Sequence, residues 1–155
     1  MKLRSSSNAQ WNFQEYTFVP TREEPDHDHA RYTETMRWYY PFGPKFPHRL
    51  NAWKRQATRV DLARNGGHLV SFAGLRMAPE PLVMRHYQFL SVPHAIEKYM
   101  ERKYDPEAVK RGWHDWRATL QPQHIQLPPE KDLRLYVSDH QLDATNPWPR
   151  HVLPG

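Results

Sequence analysis

The sequence predicts an α/β fold, with a small mixed sheet, helices toward the C-terminus and long proline-rich loops. Three observations point there. Short aromatic and apolar runs, as in NFQEYTFV and PLVMRHY, have the length and composition of strands. One later stretch, VPHAIEKYMERK, repeats apolar residues at helical spacing behind a serine cap. Prolines, 15 in 155 residues, interrupt much of the rest.

A chain of this length fits one domain and buries roughly 68–70% of its unfolded surface. Its hydrophobic content of 38% and mean hydropathy of −0.94 are low for a compact globule. Long loops, fraying ends or dependence on a partner are therefore expected.

Taken in order, residues 1–10 are polar and serine-rich, which predicts disorder. Trp11, Phe13, Tyr16 and Phe18 make a strand that Pro20 ends, and the change of parity at Gln14 and Glu15 leaves room for a bulge. Thr21 to Ala30 is a charged loop in which Asp26, His27, Asp28 and His29 either bind a divalent cation or are simply solvated. Trp38, Tyr39, Tyr40 and Phe42 follow, interrupted by Pro41 and Pro44. Such rings serve either as core or as stacking platforms for sugars and bases.

Lys54, Arg55 and Arg59 precede the alternating Val60 and Leu62. Gly66 and Gly67 then permit a tight turn that delivers His68 to the start of a strand over Leu69 to Phe72. Leu82, Val83 and Met84 form the next apolar run, and Arg85, His86 and Tyr87 leave it before Ser91 opens a helix. His86 thus falls at a strand-to-helix junction, where α/β folds commonly place ligand-binding groups.

The clearest helix is Val92 to Lys103, with Ser91 as N-cap, Pro93 in the first turn and Ala95, Ile96, Tyr99 and Met100 as its apolar stripe. Lys98 lies beside that stripe, its stem packing and its ammonium reaching a cleft or solvent. A second short helix starts at Pro106 and stops at Gly112, with Trp113, His114 and Trp116 packing against both helices. Leu133 to Val137 is a late extended segment, and residues 141–155 read as an irregular tail.

Lysine and arginine outnumber aspartate and glutamate by 22 to 17, giving a net charge of +5 and a pI near 9.6. This favours anionic partners, whether phosphates, nucleotide sugars, nucleic acid or lipid surfaces, although the basic residues are spread as a solvated surface would be. The chain has no cysteine, which excludes disulfides, thiolate metal sites and cysteine nucleophiles. No apolar run approaches the roughly 20 residues a transmembrane helix needs, and MKLRSSSNAQ lacks the apolar centre of a signal peptide. The expected location is cytoplasmic or membrane-peripheral.

The string RHYQFLS at 85–91, with Ala95 and Lys98 on the following helix, resembles the His-Tyr, Ser, Lys signature near the end of the catalytic domain in family 2 glycosyltransferases. NFQEYTFVPT, RWYYPF, NAWKRQ, GGH and RGWHDWR are similar, in order, to the segments around that signature in some bacterial members. The likeness covers about residues 11–150. It implies a partial GT-A-like domain, residues 11–140 being its C-terminal, acceptor-side part. The implied activity is transfer of a sugar from a nucleotide-sugar donor to an acceptor hydroxyl in cell-surface polysaccharide or glycan synthesis.

By the same resemblance, His86 is a ligand of a divalent Mn or Mg ion whose shell is begun by an acidic DxD element. Lys54, His68, Arg85 and Lys98 are the implied contacts to donor and acceptor. Nothing before Trp11 supplies the DxD half, so a truncated or partner-dependent form, weak or inactive alone, is expected. The catalytic base is unassigned, with Glu15 and Asp61 as candidates. Two other readings compete: a small basic nucleic-acid-binding module using the aromatics at 38–42, and a non-catalytic assembly subunit.

Overall fold

The computed structural model describes residues 9–43, 49–50, 52–55, 57, 59–60, 69–103, 105–110, 112 and 119–153. Asp61, the Gly66 and Gly67 turn, His68, Trp113, His114 and Trp116 lie outside the described residues.

The architecture is mixed α/β, with two small sheets. In the first, β1 (Ala9–Trp11) lies between β4 (Ala52–Trp53), to which it is antiparallel, and β5 (Arg76–Met77), to which it is parallel. The second has four strands in the order β6 (Leu82–Tyr87), β2 (Phe13–Phe18), β3 (Trp38–Phe42) and β7 (Arg134–Leu135). There β2 runs parallel to β6 and antiparallel to β3. Among the described residues the α-helices are α1 (Tyr32–Thr35), α2 (Val92–Tyr99) and α3 (Pro106–Lys110), and short 3-10 turns follow them.

The first strand begins at Ala9, inside the stretch expected to lack order, and the chain breaks between β1 and β2 at Asn12, not at Gln14 and Glu15. Asn12 carries other bonds: its carbonyl accepts from Leu82 N at 2.9 Å and its side-chain oxygen from Arg49 N at 3.2 Å. From Phe13 to Phe18 the strand then alternates without interruption. Tyr16 and Phe18 point to one face, where they pack with Met36, Tyr39 and Leu90. Glu15 and Thr17 point to the other, opposite Phe42 and Tyr40 of β3. That second face belongs to the larger core, built from Val19, Tyr40, Phe42, Phe89, Ala95 and Tyr99.

Pro41 sits inside β3, where a missing donor would ordinarily break the ladder. Its carbonyl accepts from Trp148 N at 2.8 Å, so this residue's polar edge faces away from β2 and no β2 bond is lost. The aromatic run at 38–42 is therefore strand and core: Tyr39, Tyr40 and Phe42 are all buried.

Ser91 caps α2 as expected, its hydroxyl accepting from His94 N at 3.2 Å, and Ala95 and Tyr99 are the buried stripe. The helix ends at Tyr99, four residues short of the expected Lys103. The Gly112 stop has φ of 75°, the left-handed conformation that favours glycine.

The segment from Pro147 to Leu153 packs as a strap across β3. Trp148 stacks on Tyr40 at 4.3 Å between ring centroids, and Leu153 is fully buried. Gly43 lets the strap approach, because a Cβ there would lie 2.8 Å from Pro147 Cβ. Gly43→Ala is accordingly expected to cost about 1–3 kcal/mol by overpacking. A urea midpoint equal to that of the unsubstituted chain would show that the strap yields freely.

Candidate functional site

The most unusual group in the fold is a carboxylate in the middle of an aromatic strand. Glu15 has no exposed side-chain surface, yet it is ionised and surrounded by donors. Arg49 Nε donates to Oε2 at 2.8 Å, Thr17 Oγ1 to Oε1 at 3.1 Å, and His86 Nδ1 meets Oε1 at 2.5 Å. Burial by itself would raise this carboxyl's pKa. The hydrogen bonds from His86 and Arg49, and their charges, outweigh it and hold the group at about 2, against an ordinary 4.5. An ionised carboxylate only accepts, so Nδ1 of His86 carries the proton in this bond.

Strand register explains why these residues meet. His86 on β6 stands opposite Thr17, on the face that Glu15 also occupies two residues earlier. The second imidazole comes from the C-terminal strap. His151 stacks on Phe42 with centroids 3.7 Å apart and an interplanar angle of 14°. Its Nδ1 lies 3.1 Å from the Tyr40 hydroxyl, and its Nε2 lies 3.7 Å from Glu15 Oε1. Burial pushes the Tyr40 phenol well above its ordinary pKa, so it stays a neutral hydroxyl. It also accepts from Val152 N at 3.2 Å and lies 3.4 Å from Gln88 Oε1.

Glu15, His86 and His151 each offer one ligand atom, and these atoms all lie within 4.8 Å of one another. A tetrahedral shell with bonds near 2.0–2.1 Å has neighbouring ligands about 3.3 Å apart. The 3.7 Å pair is close to that separation, and the 2.5 Å contact is the Nδ1–H···Oε1 hydrogen bond, so a divalent ion bound there would take the place of the shared proton.

No family model, curated protein or solved structure matches this chain.

The residues singled out in the sequence do not all converge. Arg85 and His86 are adjacent on β6 and therefore point to opposite faces. Arg85 Nε lies 3.0 Å from Asp139 Oδ1, and its guanidinium covers the Tyr136 ring at 4.9 Å, away from Glu15. Lys98 Nζ donates to the Gln88 carbonyl at 2.6 Å, bracing the turn from β6 into α2. Lys54 follows β4 and is exposed. In the acidic loop, Asp28 Oδ1 accepts from Ala30 N and His27 Nδ1 meets Thr35 Oγ1. Among the described residues, Glu15, His86 and His151 are the group whose ligand atoms converge.

Glu15 is not placed to be a base. It is buried, already accepts three bonds, and holds its proton too weakly to accept one at neutral pH. Sequence reasoning missed both the brace on His86 and the contribution of His151. A glutamate inside NFQEYTF and a histidine among the apolar residues of the tail were the available signals. Among the described residues no helix is long and apolar enough to cross a membrane.

Proposed function

We propose that the chain is the acceptor-side part of an enzyme that transfers a sugar from a nucleotide-sugar donor to an acceptor hydroxyl. The observation that carries this reading is His86, in the RHY motif near the end of a strand parallel to its neighbour, with its ring fixed by a buried carboxylate. A departing nucleoside diphosphate needs fixed positive charge beside it. Here the Arg49 guanidinium supplies such a charge on the face of the sheet where the His86 and His151 rings gather around Glu15.

A divalent ion bound to this set would add Lewis-acid neutralisation of the diphosphate. Glu15 positions the His86 ring through Nδ1, and the Phe42 stack positions His151. Beside them lies a cleft of about 520 Å³ that shares Phe42 and is lined also by Asn12, Gln14, Met77 and Pro147. Its size suits a small ligand, and among the described residues that line it none is charged, which suits a neutral acceptor.

Isothermal titration of UDP and GDP into the purified chain, with and without Mn²⁺, tests the reading. Ion-dependent binding that weakens at least about tenfold in His86→Ala is expected. If neither nucleotide binds under either condition, the reading fails for this chain.

A further inference from the structure

We propose that Glu15, His86 and His151 form a binding site for a zinc-class divalent ion, assembled by this chain without any upstream acidic element. Convergence is the first observation: one donor atom from each residue lies within 4.8 Å of the others. They come from β2, β6 and the C-terminal strap, so the fold, not a local sequence motif, creates the site.

Glu15 and His151 are held from behind, as metal ligands usually are, and an ion bound at His86 Nδ1 replaces the proton that this nitrogen shares with Glu15, the proton leaving to solvent. Arg49 holds Oε2 of the Glu15 carboxylate and Thr17 donates to Oε1, the oxygen that faces both imidazoles. The Tyr40 hydroxyl can accept the Nδ1 proton of His151 and pass its own to Gln88 Oε1, which leaves the Nε2 lone pair toward Glu15. Phe42 fixes the plane of the same ring. A nearby Arg49 charge opposes a cation, so the affinity is lower than that of an uncompensated carboxylate site, while the carboxylate stays monodentate and rigid.

Access is open on the histidine side. The side chains of His86 and His151 keep 28% and 21% exposure, whereas Glu15 keeps none. An ion entering there would complete its shell with solvent or substrate, which is the arrangement of catalytic zinc: three protein ligands and one open position. Two imidazoles and a single carboxylate suit Zn²⁺ and Co²⁺; Mg²⁺ demands oxygen donors and keeps its waters. The site goes beyond the transferase reading, because it requires neither a nucleotide nor any residue outside this chain.

The test uses the full chain, freed of metal by chelator and dialysed, with no nucleotide present. Zn²⁺ is titrated calorimetrically, and Co²⁺ is followed by the visible absorption that distinguishes low-coordinate cobalt from the octahedral aquo ion. One saturable ion per chain is expected, with Mg²⁺ failing to compete. His151→Phe retains the ring on Phe42 and removes the donor nitrogens; it and His86→Gln should each weaken Zn²⁺ binding at least about tenfold. His29→Ala, which alters the exposed His29 beside His94, should bind as the unsubstituted chain does.

Circular dichroism of the His151→Phe chain separates ligand loss from unfolding. Absence of saturable Zn²⁺ and Co²⁺ binding, or equal binding in the unsubstituted and His151→Phe chains, would overturn the proposal. Zinc binding without any nucleotide binding would uphold this site while ending the transferase reading.

Discussion

Glu15→Gln is expected to destabilise the fold by about 3 kcal/mol, the largest effect of any conservative substitution in the site. Removing one partner of a buried ion pair typically costs about 3–5 kcal/mol, because the remaining charge stays desolvated. The lower end applies here, since Arg49 and His86 keep 18% and 28% side-chain exposure and can regain some water. Glutamine preserves the shape and the bond from Thr17, so the loss reports charge and not a cavity. In a chain of this size the melting temperature should fall by about 6–12 °C. The measurement is urea unfolding at neutral pH on both chains. An unchanged midpoint would mean that the Glu15 network contributes nothing net, and the brace on His86 would lose its energetic basis.

The same network marks where sequence reasoning stops. α2 and α3 were legible because their signals are local: a serine and a proline at one start, a proline and a left-handed glycine around the other. The apolar run ahead of RHY read correctly as strand, and β6 continues through it to Tyr87. Glu15 was opaque because its meaning depends on partners 34 and 71 residues away. In isolation a glutamate among aromatics looks like a bulge. Only the register of β2 against β6 and β3 turns it into the centre of a site.

Strand parity could have separated Arg85 from His86, because neighbours on a strand face opposite ways. The resemblance named them as one functional string, and the string hid the alternation. The tail posed the reverse problem. Its prolines announce irregular backbone, which is what forms, but Trp148, His151 and Leu153 are spaced to seat three side chains on β3 and the core. Irregular backbone and firm packing coexist there because Gly43 admits close contact and because β3 offers the Pro41 carbonyl as an acceptor.

Acid should remove the stabilisation that Glu15→Gln removes by substitution. The Glu15 carboxyl sits at about 2 in the folded chain and at an ordinary 4.5 when unfolded. A depressed carboxyl contributes stability that is fully present above the unfolded pKa and is lost as pH falls through the folded one. That lowering is worth about 3 kcal/mol, similar to the expected cost of the substitution. The difference in unfolding free energy between the unsubstituted and Glu15→Gln chains should therefore be about 3 kcal/mol at pH 6, shrink below pH 4.5 and approach zero near pH 2. Other carboxylates, among them Asp143 with its pKa lowered by bonds from Thr145, titrate in both chains and cancel in that difference. Urea unfolding at pH 6, 4.5 and 3 suffices to see the trend. A difference that stays constant across those points would place the effect of the glutamine in packing, and the ionised Glu15 would no longer account for the stability of this face.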